Sequence, residues 1–336
     1  MHSGTARVRA SPSDPATRER IAACLAGIAI GDAIGKQTEM LSYDKVSRCY
    51  PDGVRGFEGT PGTIIPRYAG NSKREWRIGE TTDDTERTIA VATAILSDRA
   101  VSHVSIGREM LRCAKCVHPG VRSLWEFHQA GDPARTAVEH NGCGAAVRVA
   151  PVGVFFRSSS LDALVIGARE ASISTHGGSL AIAAAAATAA AVSAAIDAAS
   201  SREVFALAER AAADAERRWP GSGSPLFAPA MRAVRDDLEQ LGSLQAAAIA
   251  TRCFPDRPLT IVPLALALAT LLRSAEDAIL LAANVGGDSD SVASIAGGIL
   301  GAMYPATVNQ QWADTVEHVN RHNLGALGGE LARIRH

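Results

Sequence analysis

The stretch Asn284-Val-Gly-Gly-Asp-Ser-Asp-Ser291 holds two glycines, two carboxylates and two hydroxyls within eight residues. It lies between two apolar runs, where an acidic solvent loop is not expected. Asp288, Asp290 and Ser291 offer hard oxygen atoms, a pattern that suits a loop curling around a hard cation as it enters a helix. Apolar residues at helical spacing from Val292 to Met303 predict that helix, with Ser291 as its N-cap. The stretch predicts carboxylates held at the mouth of a buried helix.

A second acidic cluster, Thr81-Thr-Asp-Asp-Thr85, has the same chemistry and is also followed by a helical pattern. Asp83 followed by Glu86 fits a capping box as well, so an ordinary acidic helix start is the alternative interpretation. The two clusters stand roughly 200 residues apart. A pair of acidic helix ends that meet in the fold is one way to build a two-metal site.

The composition narrows the class of protein. With 336 residues and 47% hydrophobic content, the chain can bury a large core. A formal charge of −1 gives no basic footprint, so we do not expect nucleic-acid binding. Six cysteines at irregular positions do not form a disulfide framework, and the N-terminus lacks the apolar segment of a signal peptide. These features predict a cytoplasmic protein.

The pattern along the chain predicts an all-α protein with a single domain. Residues 1–16 lack apolar periodicity and are expected to form a disordered lead, and residues 17–336 show helical faces without sustained strand alternation. The run from Ser179 to Ile196 carries no charge and is long enough for a membrane span. Its alanine-rich composition favours a central helix packed on all sides by others.

The first predicted helix carries a stripe of glycines at Gly27, Gly31 and Gly35. Glycine destabilises a helix by roughly 1 kcal/mol per residue, so the stripe indicates close packing of the backbone or approach to a ligand. Asp32 lies on the apolar face of this helix, and a structural carboxylate and a ligand are equally consistent with that position. Glu39 falls just past the helix, either as an exposed glutamate or close to a metal.

Three other segments carry candidate chemistry. Asn141 to Gly144 form either a backbone anion nest suited to phosphate or a plain turn. His176 precedes two glycines and is either a capping histidine or a ligand contact. Residues 48–80 are irregular and rich in Gly, Pro and Arg, which is typical of covers and binding loops.

The cysteines at positions 113 and 116, followed by His118, resemble half of a zinc site. No second cysteine pair with suitable spacing follows. We therefore expect Cys113 and Cys116 to be structural thiols on one helix.

An ordered set of motifs resembles the ADP-ribosylglycohydrolase family over nearly the whole chain after residue 20. The set consists of Gly27-Ile-Ala-Ile-Gly-Asp-Ala-Ile-Gly35 with Glu39, Thr82-Asp-Asp-Thr85, Asn141-Gly142 with Arg148 and Pro151, Thr175-His176-Gly177, and Gly286-Gly-Asp-Ser-Asp-Ser291.

The resemblance implies an all-α fold with a binuclear Mg²⁺ or Mn²⁺ centre that hydrolyses the bond at the ribose anomeric carbon. The metal ligands it implies are Thr82, Asp83, Asp84, Asp288, Asp290 and Ser291. Glu39 matches an acidic residue that the family places near the metals, and Glu39, Asp83 and Asp288 are the implied catalytic residues. The implied substrate contacts are Asn141, Gly142, Cys143 and Gly144, which match a diphosphate loop, and His176, which matches a position lining the cleft.

Two features depart from the family pattern. Ser291 stands where threonine is usual, which keeps the hydroxyl. The segment from Phe57 to Glu80 is longer and more basic than expected, which leaves the leaving group and the ADP moiety open.

The chemistry fits these residues. Two metal ions about 3.5–4 Å apart can bind a vicinal diol and lower the pKa of a bound water. The sequence predicts a hydrolase acting on an ADP-ribosylated protein side chain or small ADP-ribosyl compound. There are two alternatives. One is a nucleosidase that acts on free N-ribosides, and the other is an inactive, metal-stabilised binding or structural protein.

Overall fold

The computed structural model describes residues 14–117, 121–222 and 226–336. Within these ranges the chain is helical and forms no strand, and Ile64 and Arg77 make an isolated antiparallel bridge. The prediction of an all-α fold is confirmed for these residues. The helices are α1 Pro15–Gly35, α2 Tyr43–Cys49, α3 Asp83–Asp98, α4 His103–Arg112, α5 Arg122–Ala130, α6 Gly144–Arg148, α7 Ala150–Phe155, α8 Leu161–Ile173, α9 Ser179–Ile196, α10 Ser201–Arg218, α11 Phe227–Glu239, α12 Ala246–Arg252, α13 Pro258–Leu271, α14 Ala275–Val285, α15 Ser289–Met303, α16 Gln310–Asn320 and α17 Leu324–Ile334.

Helix α9 is the centre of the molecule. It is long and apolar enough to cross a membrane, yet its residues from Ala181 to Ile196 are all buried inside the protein. Its small alanine side chains let neighbouring helices approach on every side, as its composition predicts. The helices that contact it are α1, α6, α7, α8, α10, α11, α13 and α15.

Helices α1 and α15 pack backbone against backbone through the glycine stripe. A Cβ atom added at Gly27 or Gly31 would lie 2.2 Å from a carbonyl oxygen of α15, and one added at Gly35 would lie 2.4 Å from the Cα atom of Asp290. No real side chain tolerates such distances. The stripe therefore serves close packing of two helices, which brings the end of α1 directly against the start of α15.

The fold begins slightly earlier than the sequence predicts. Helix α1 starts at Pro15, and the Asp14 side chain accepts hydrogen bonds from the backbone N–H groups of Ala16 and Thr17. Proline at the first helical position and aspartate as N-cap are both favourable there, which explains the start two residues before Thr17. The rest of the predicted disordered lead, residues 1–13, lies outside the described residues.

The two neighbouring cysteines do not share a helix, so that prediction is wrong. Helix α4 ends at Arg112, and Cys113 precedes a short 3-10 turn, Ala114–Cys116. Cys113 has an extended backbone (φ −89°, ψ 116°), which ends the helical run. His118, the third member of the considered zinc motif, lies outside the described residues.

We predict that Gly31→Ala destabilises the protein by at least about 2 kcal/mol, because overpacking of a tight contact typically costs 1–3 kcal/mol. Gly329→Ala is the matched control, since Gly329 lies inside α17 and an added Cβ there meets no atom within 4 Å. The control should be neutral or slightly stabilising. Urea unfolding of both variants measures the difference, and equal stability would contradict the packing role of the stripe.

Candidate active site

Two glycines with positive φ build the turn that precedes α15. Gly286 (φ 83°) and Gly287 (φ 68°) adopt backbone conformations that other residues rarely reach. Gly287 also pairs with the segment after α1, because its N–H donates to the Leu41 carbonyl at 2.8 Å and its carbonyl accepts from Met40 N at 2.7 Å. The turn is thereby held against the end of α1.

The predicted N-cap of α15 is wrong. The helix starts at Ser289 with Asp288 as the N-cap residue, and Ser291 is already helical. The turn at Gly286 and Gly287 lets the chain enter the helix at Ser289, so Ser291 lies too far inside α15 to be its cap. It donates instead to Asp84 Oδ2 at 2.9 Å.

The start of α3 is capped by Thr82 and by a carboxylate from α1. Thr82 Oγ1 accepts from Asp84 N at 3.1 Å. Asp32 accepts from the backbone N–H groups of Thr82 at 2.9 Å and Thr85 at 3.1 Å, and also from the Thr85 hydroxyl. The Asp83–Glu86 capping box does not form, because Thr82 is the N-cap residue and Asp83 is already the first helical residue. Asp32 is a structural carboxylate that positions the acidic cluster.

The structure brings the two acidic clusters together. The Ser291–Asp84 hydrogen bond joins the start of α15 to the start of α3 across 207 residues of sequence. Ser289 Oγ donates to the Gly35 carbonyl at 2.9 Å and so fixes α15 to the end of α1. Cys143 Sγ donates to Asp288 Oδ2 at 3.3 Å, which places the Asn141–Gly144 loop beside the same cluster.

The carboxylates repel one another. Burial raises the pKa of Asp84 well above its usual value, and the nearby carboxylates of Asp83, Asp32 and Asp288 raise it further. Burial likewise raises the pKa of Asp290, with added repulsion from Glu39 and Asp288. Negative charge of this density favours the binding of protons or cations.

Two basic side chains that the sequence analysis did not consider neutralise part of this charge. Arg87 is buried and pairs with both Asp83 and Asp84, at 3.0 Å to the latter. Lys36 is buried, pairs with Glu39 and is attracted to Asp290. All three pairs follow helical spacing, i+3 or i+4, which is the signal that could have identified them.

The basic irregular segment lies over the Lys36–Glu39 region. Arg67 donates to the Glu39 carbonyl at 2.7 Å and to the Lys36 carbonyl at 3.2 Å. The Lys36 ammonium stands 4.2 Å from the centroid of the Trp76 ring, and Arg74 stacks on the same ring at 3.9 Å. The segment from Phe57 to Glu80 therefore covers one side of the site.

The Asn141–Gly144 loop and His176 contact each other on another side. A Cβ atom at Gly142 would lie 2.8 Å from His176 Nε2, so the ring packs on the loop backbone. Asn141 uses its side chain to accept from Leu180 N at 3.0 Å at the start of α9. Burial lowers the pKa of His176 well below its usual value, with repulsion from Arg148 and Arg87, so the ring is neutral.

Arg148 fixes the position of the His176 turn. Its guanidinium is fully buried and donates to the carbonyls of Ala171, Gly144 and Ser172 and to Thr175 Oγ1, at 2.9–3.2 Å. Thr175 Oγ1 in turn lies 2.8 Å from His176 Nδ1. Arg148 thereby links α6, the end of α8 and the histidine.

The oxygen atoms of the two acidic clusters are of the kind that hard cations prefer, but the side chains are not arranged around a single position. In the described part of the chain, no group of three or more His, Cys, Asp and Glu side chains is arranged to hold a metal ion. The physical reason is visible, since Arg87 and Lys36 already pair with three of the acidic side chains. Buried carboxylates and a serine hydroxyl that face one another are nevertheless the ligands preferred by Mg²⁺ and Mn²⁺.

Comparisons with known proteins agree on one family. A family model described as ADP-ribosylglycohydrolase matches residues 13–336. The chain is 28% identical over 325 residues to an uncharacterised protein of Archaeoglobus fulgidus, with 94% of this chain and 97% of that protein covered. It is also 28% identical over 340 residues to the uncharacterised protein YegU of Escherichia coli, with the same shares of coverage, 94% and 97%.

Two further matches carry informative names. The chain is 25% identical over 326 residues to a Serratia proteamaculans protein named ADP-ribosylarginine hydrolase Tri1, covering 91% of this chain and 77% of that protein. A solved structure titled ADP-ribosylglycohydrolase-related protein complex superposes with a TM-score of 0.69 at 23% identity, covering 95% of this chain and 99% of the other. At this identity the structural likeness shows the fold alone.

We predict that Asp32→Ala destabilises the metal-free protein by about 3 kcal/mol at pH 5, because it leaves two buried N–H groups and a hydroxyl without their acceptor. Burial raises the pKa of Asp32 to about 6. A carboxyl whose folded pKa is raised contributes stability that is lost as pH rises through that value, so the loss should be smaller at pH 7.5. Urea unfolding in EDTA measures the loss at both pH values, with exposed Asp98→Ala at the end of α3 as control.

Removal of the Lys36 charge should tighten divalent cation binding, because Lys36 competes for Asp290 and Glu39. The repulsion between two unit charges about 4 Å apart is ~4 kcal/mol at an effective dielectric constant near 20. Relief of about a third of this repulsion raises the affinity for the cation about tenfold. Calorimetric titration of metal-free Lys36→Met with Mn²⁺ measures it. Exposed Lys45→Met on α2 should match the wild type, and unchanged affinity in Lys36→Met would contradict the competition.

Proposed function

Because the chain belongs to the ADP-ribosylglycohydrolase family and is therefore a hydrolase of the glycosylase class, we propose that it cleaves the anomeric bond of an ADP-ribosyl group with the help of divalent metal ions. The observation that supports the site is the Ser291–Asp84 hydrogen bond, which joins the two acidic clusters. The substrate would be an ADP-ribosylated protein side chain or a small ADP-ribosyl compound.

The metal ions would be held at the meeting point of α3 and α15. Mg²⁺ or Mn²⁺ would supply charge to orient the ribose diol and to acidify water. Asp288 and Asp290 are carried by the rigid glycine turn and the first turn of α15. The proposed ligands are Thr82, Asp83, Asp84, Asp288, Asp290 and Ser291.

Glu39 is proposed to accept the proton of the attacking water. It is half-buried, it is near enough to Asp290 for the two carboxylates to repel each other, and Lys36 pairs with its carboxylate. Arg67 binds its backbone carbonyl and so restricts the segment that carries it. A carboxylate positioned in this way can assist the addition of water to an oxocarbenium-like centre.

The substrate would lie between the acidic clusters and the Asn141–Gly144 loop. Cys143 already contacts Asp288, so the loop backbone is close to where a ribose would bind. The neutral His176 ring packs behind Gly142 and supports the loop. The Asn141 side chain caps α9 through its Oδ1 atom, so contacts of this loop with a diphosphate would come from backbone N–H groups and from the Asn141 Nδ2 amide.

The name of the Serratia relative makes ADP-ribosylated arginine the first substrate to test. The panel adds ADP-ribosylated serine, O-acetyl-ADP-ribose and free nucleosides, each with Mg²⁺, with Mn²⁺ and with EDTA. We expect release of ADP-ribose that requires a divalent ion. In Glu39→Gln, turnover should fall by ~10²–10⁴ while Mn²⁺ still binds, which is the usual contribution of a general base. Exposed Glu239→Gln on α11 is the control.

The other outcomes separate the alternatives. Cleavage of free nucleosides together with indifference to ADP-ribose would establish a nucleosidase. Binding of Mn²⁺ without turnover of any substrate would favour an inactive binding or structural protein. Full activity in EDTA after dialysis would exclude the metal-dependent mechanism.

A further inference from the structure

A Cys-x-x-Cys turn lies directly behind the proposed ligand segment of α3. The turn follows α4, and the Cys116 N–H donates to the Cys113 carbonyl at 3.2 Å. A hydrogen-bonded turn of this kind brings its first and fourth Cα atoms within about 7 Å, and disulfides span Cα distances of about 4.4–6.8 Å. The backbone is therefore already folded for a bond between the two sulfur atoms.

The two thiols differ in the way that thiol–disulfide exchange requires. Cys113 is half-buried, and a hydrogen bond from the Cys116 thiol lowers its pKa. Cys116 is fully buried, and its interaction with Cys113 together with burial raises its pKa. Cys113 is thus the accessible nucleophile, and Cys116 is the protected thiol that can resolve a mixed disulfide.

The residue between the cysteines holds the segment that leads into α3. Lys115 Nζ donates to the Thr81 carbonyl at 2.8 Å and lies 3.3 Å from Glu80 and 3.8 Å from Glu86. Thr81 directly precedes Thr82, the N-cap of α3. A change in the turn can therefore reach the proposed ligands through the Lys115 side chain.

Each cysteine also interacts with the first turns of α3. The Cys113 thiol donates to Glu86 Oε2 at 3.9 Å. Cys116 interacts electrostatically with Arg87, the residue that pairs with Asp83 and Asp84. The turn and the start of α3 thus share two hydrogen bonds, Lys115 to Thr81 and Cys113 to Glu86, and the electrostatic interaction of Cys116 with Arg87.

We propose that Cys113 and Cys116 form a reversible disulfide that loosens the Thr81–Asp84 segment and so lowers activity under oxidising conditions. A zinc site is the other use of such a pair. Among the described residues, no third His, Cys, Asp or Glu completes a metal site with it. Free thiols are the resting state in a reducing compartment, where protein disulfides are transient and redox-sensing.

The oxidant is a low-molecular-weight disulfide such as oxidised glutathione. The Cys113 thiolate attacks one of its sulfur atoms, forming a mixed disulfide and releasing one small thiolate. The Cys116 thiol then gives up its proton to that thiolate and attacks the Cys113 sulfur. A second small thiolate leaves and takes a proton from solvent. This proton replaces the one that Cys113 released to solvent when it ionised. Two protein thiols become one disulfide, and the small disulfide becomes two thiols.

Oxidation removes the hydrogen that Cys113 donates to Glu86. The freed Glu86 carboxylate then competes for Lys115, which is already within 3.8 Å, and draws it away from the Thr81 carbonyl. Loss of one net hydrogen bond corresponds to a factor of about five in a local opening equilibrium. We expect amide hydrogen exchange in residues 80–87 to accelerate by about fivefold.

The first measurement is the covalent change itself. Purified wild-type protein is equilibrated in glutathione buffers of graded ratio, quenched with acid and alkylated, and its peptides are identified by mass spectrometry. We expect loss of two hydrogens with a Cys113–Cys116 link, reversed by dithiothreitol. Exposed Cys49 serves as internal control and should form only mixed disulfides with glutathione. A stable glutathione adduct at Cys113 without the internal bond, or zinc retained by the pair after purification, would overturn the proposal.

The second measurement tests the coupling. Hydrogen exchange of residues 80–87 and hydrolase activity are compared before and after oxidation in wild type, Cys113→Ser and Cys116→Ala. The reduced variants should behave like reduced wild type. After oxidation, exchange and activity should stay unchanged in Cys113→Ser, which lacks the nucleophile, whereas Cys116→Ala should keep a glutathione adduct at Cys113 in place of the internal bond. Cys113→Ser is the decisive variant if removal of the buried Cys116 thiol destabilises the fold. A disulfide that forms without faster exchange in residues 80–87 would refute the coupling, whether or not the substrate has been identified.

Discussion

The site depends on the close approach of α1 and α15. Because Gly27, Gly31 and Gly35 carry no Cβ, the two backbones touch, and Gly35 lies against the Cα atom of Asp290. Separation of the helices by even one methyl group would move Asp290 away from Glu39 and Lys36, which belong to the segment that follows α1. A packing constraint in the core thus sets the geometry of the polar groups at its edge.

This arrangement gathers negative charge that burial makes costly. Asp84 and Asp290 stay close to other carboxylates because positive charge compensates them: Arg87 pairs with Asp84 from the same helical turn, and Lys36 attracts Asp290 from the end of α1. Partial compensation is what a cation site requires. Full neutralisation would leave nothing for a metal ion to bind, whereas no compensation would drive the metal-free clusters apart or protonate them.

Local patterns in the sequence predict much of this site. The spacing of Asp288, Asp290 and Ser291 and the alanine content of α9 indicate an acidic helix mouth and a central buried helix. The partners of Asp32 and Asn141 are not predictable in this way. Asp32 caps α3 and Asn141 caps α9, contacts between segments about 40 to 50 residues apart whose pairing depends on tertiary packing. Ser291 shows the same limit, since the cap expected from its residue type is replaced by a contact with Asp84.

The two halves of the site differ in how they are held. The α15 half is fixed by backbone contacts, because added side-chain atoms at Gly286 and Gly287 would collide with the carbonyls of Leu41 and Pro255 at 2.5 Å. The α3 half is held by polar side chains. Buried Asp32 accepts from the backbone N–H groups of Thr82 and Thr85, and Lys115 and Asn320 form hydrogen bonds with the Thr81 backbone. Polar contacts at a half-buried position exchange partners at far lower cost than packed backbones can move. Adjustment of the site therefore falls to α3, the side against which the Cys113–Cys116 turn is packed.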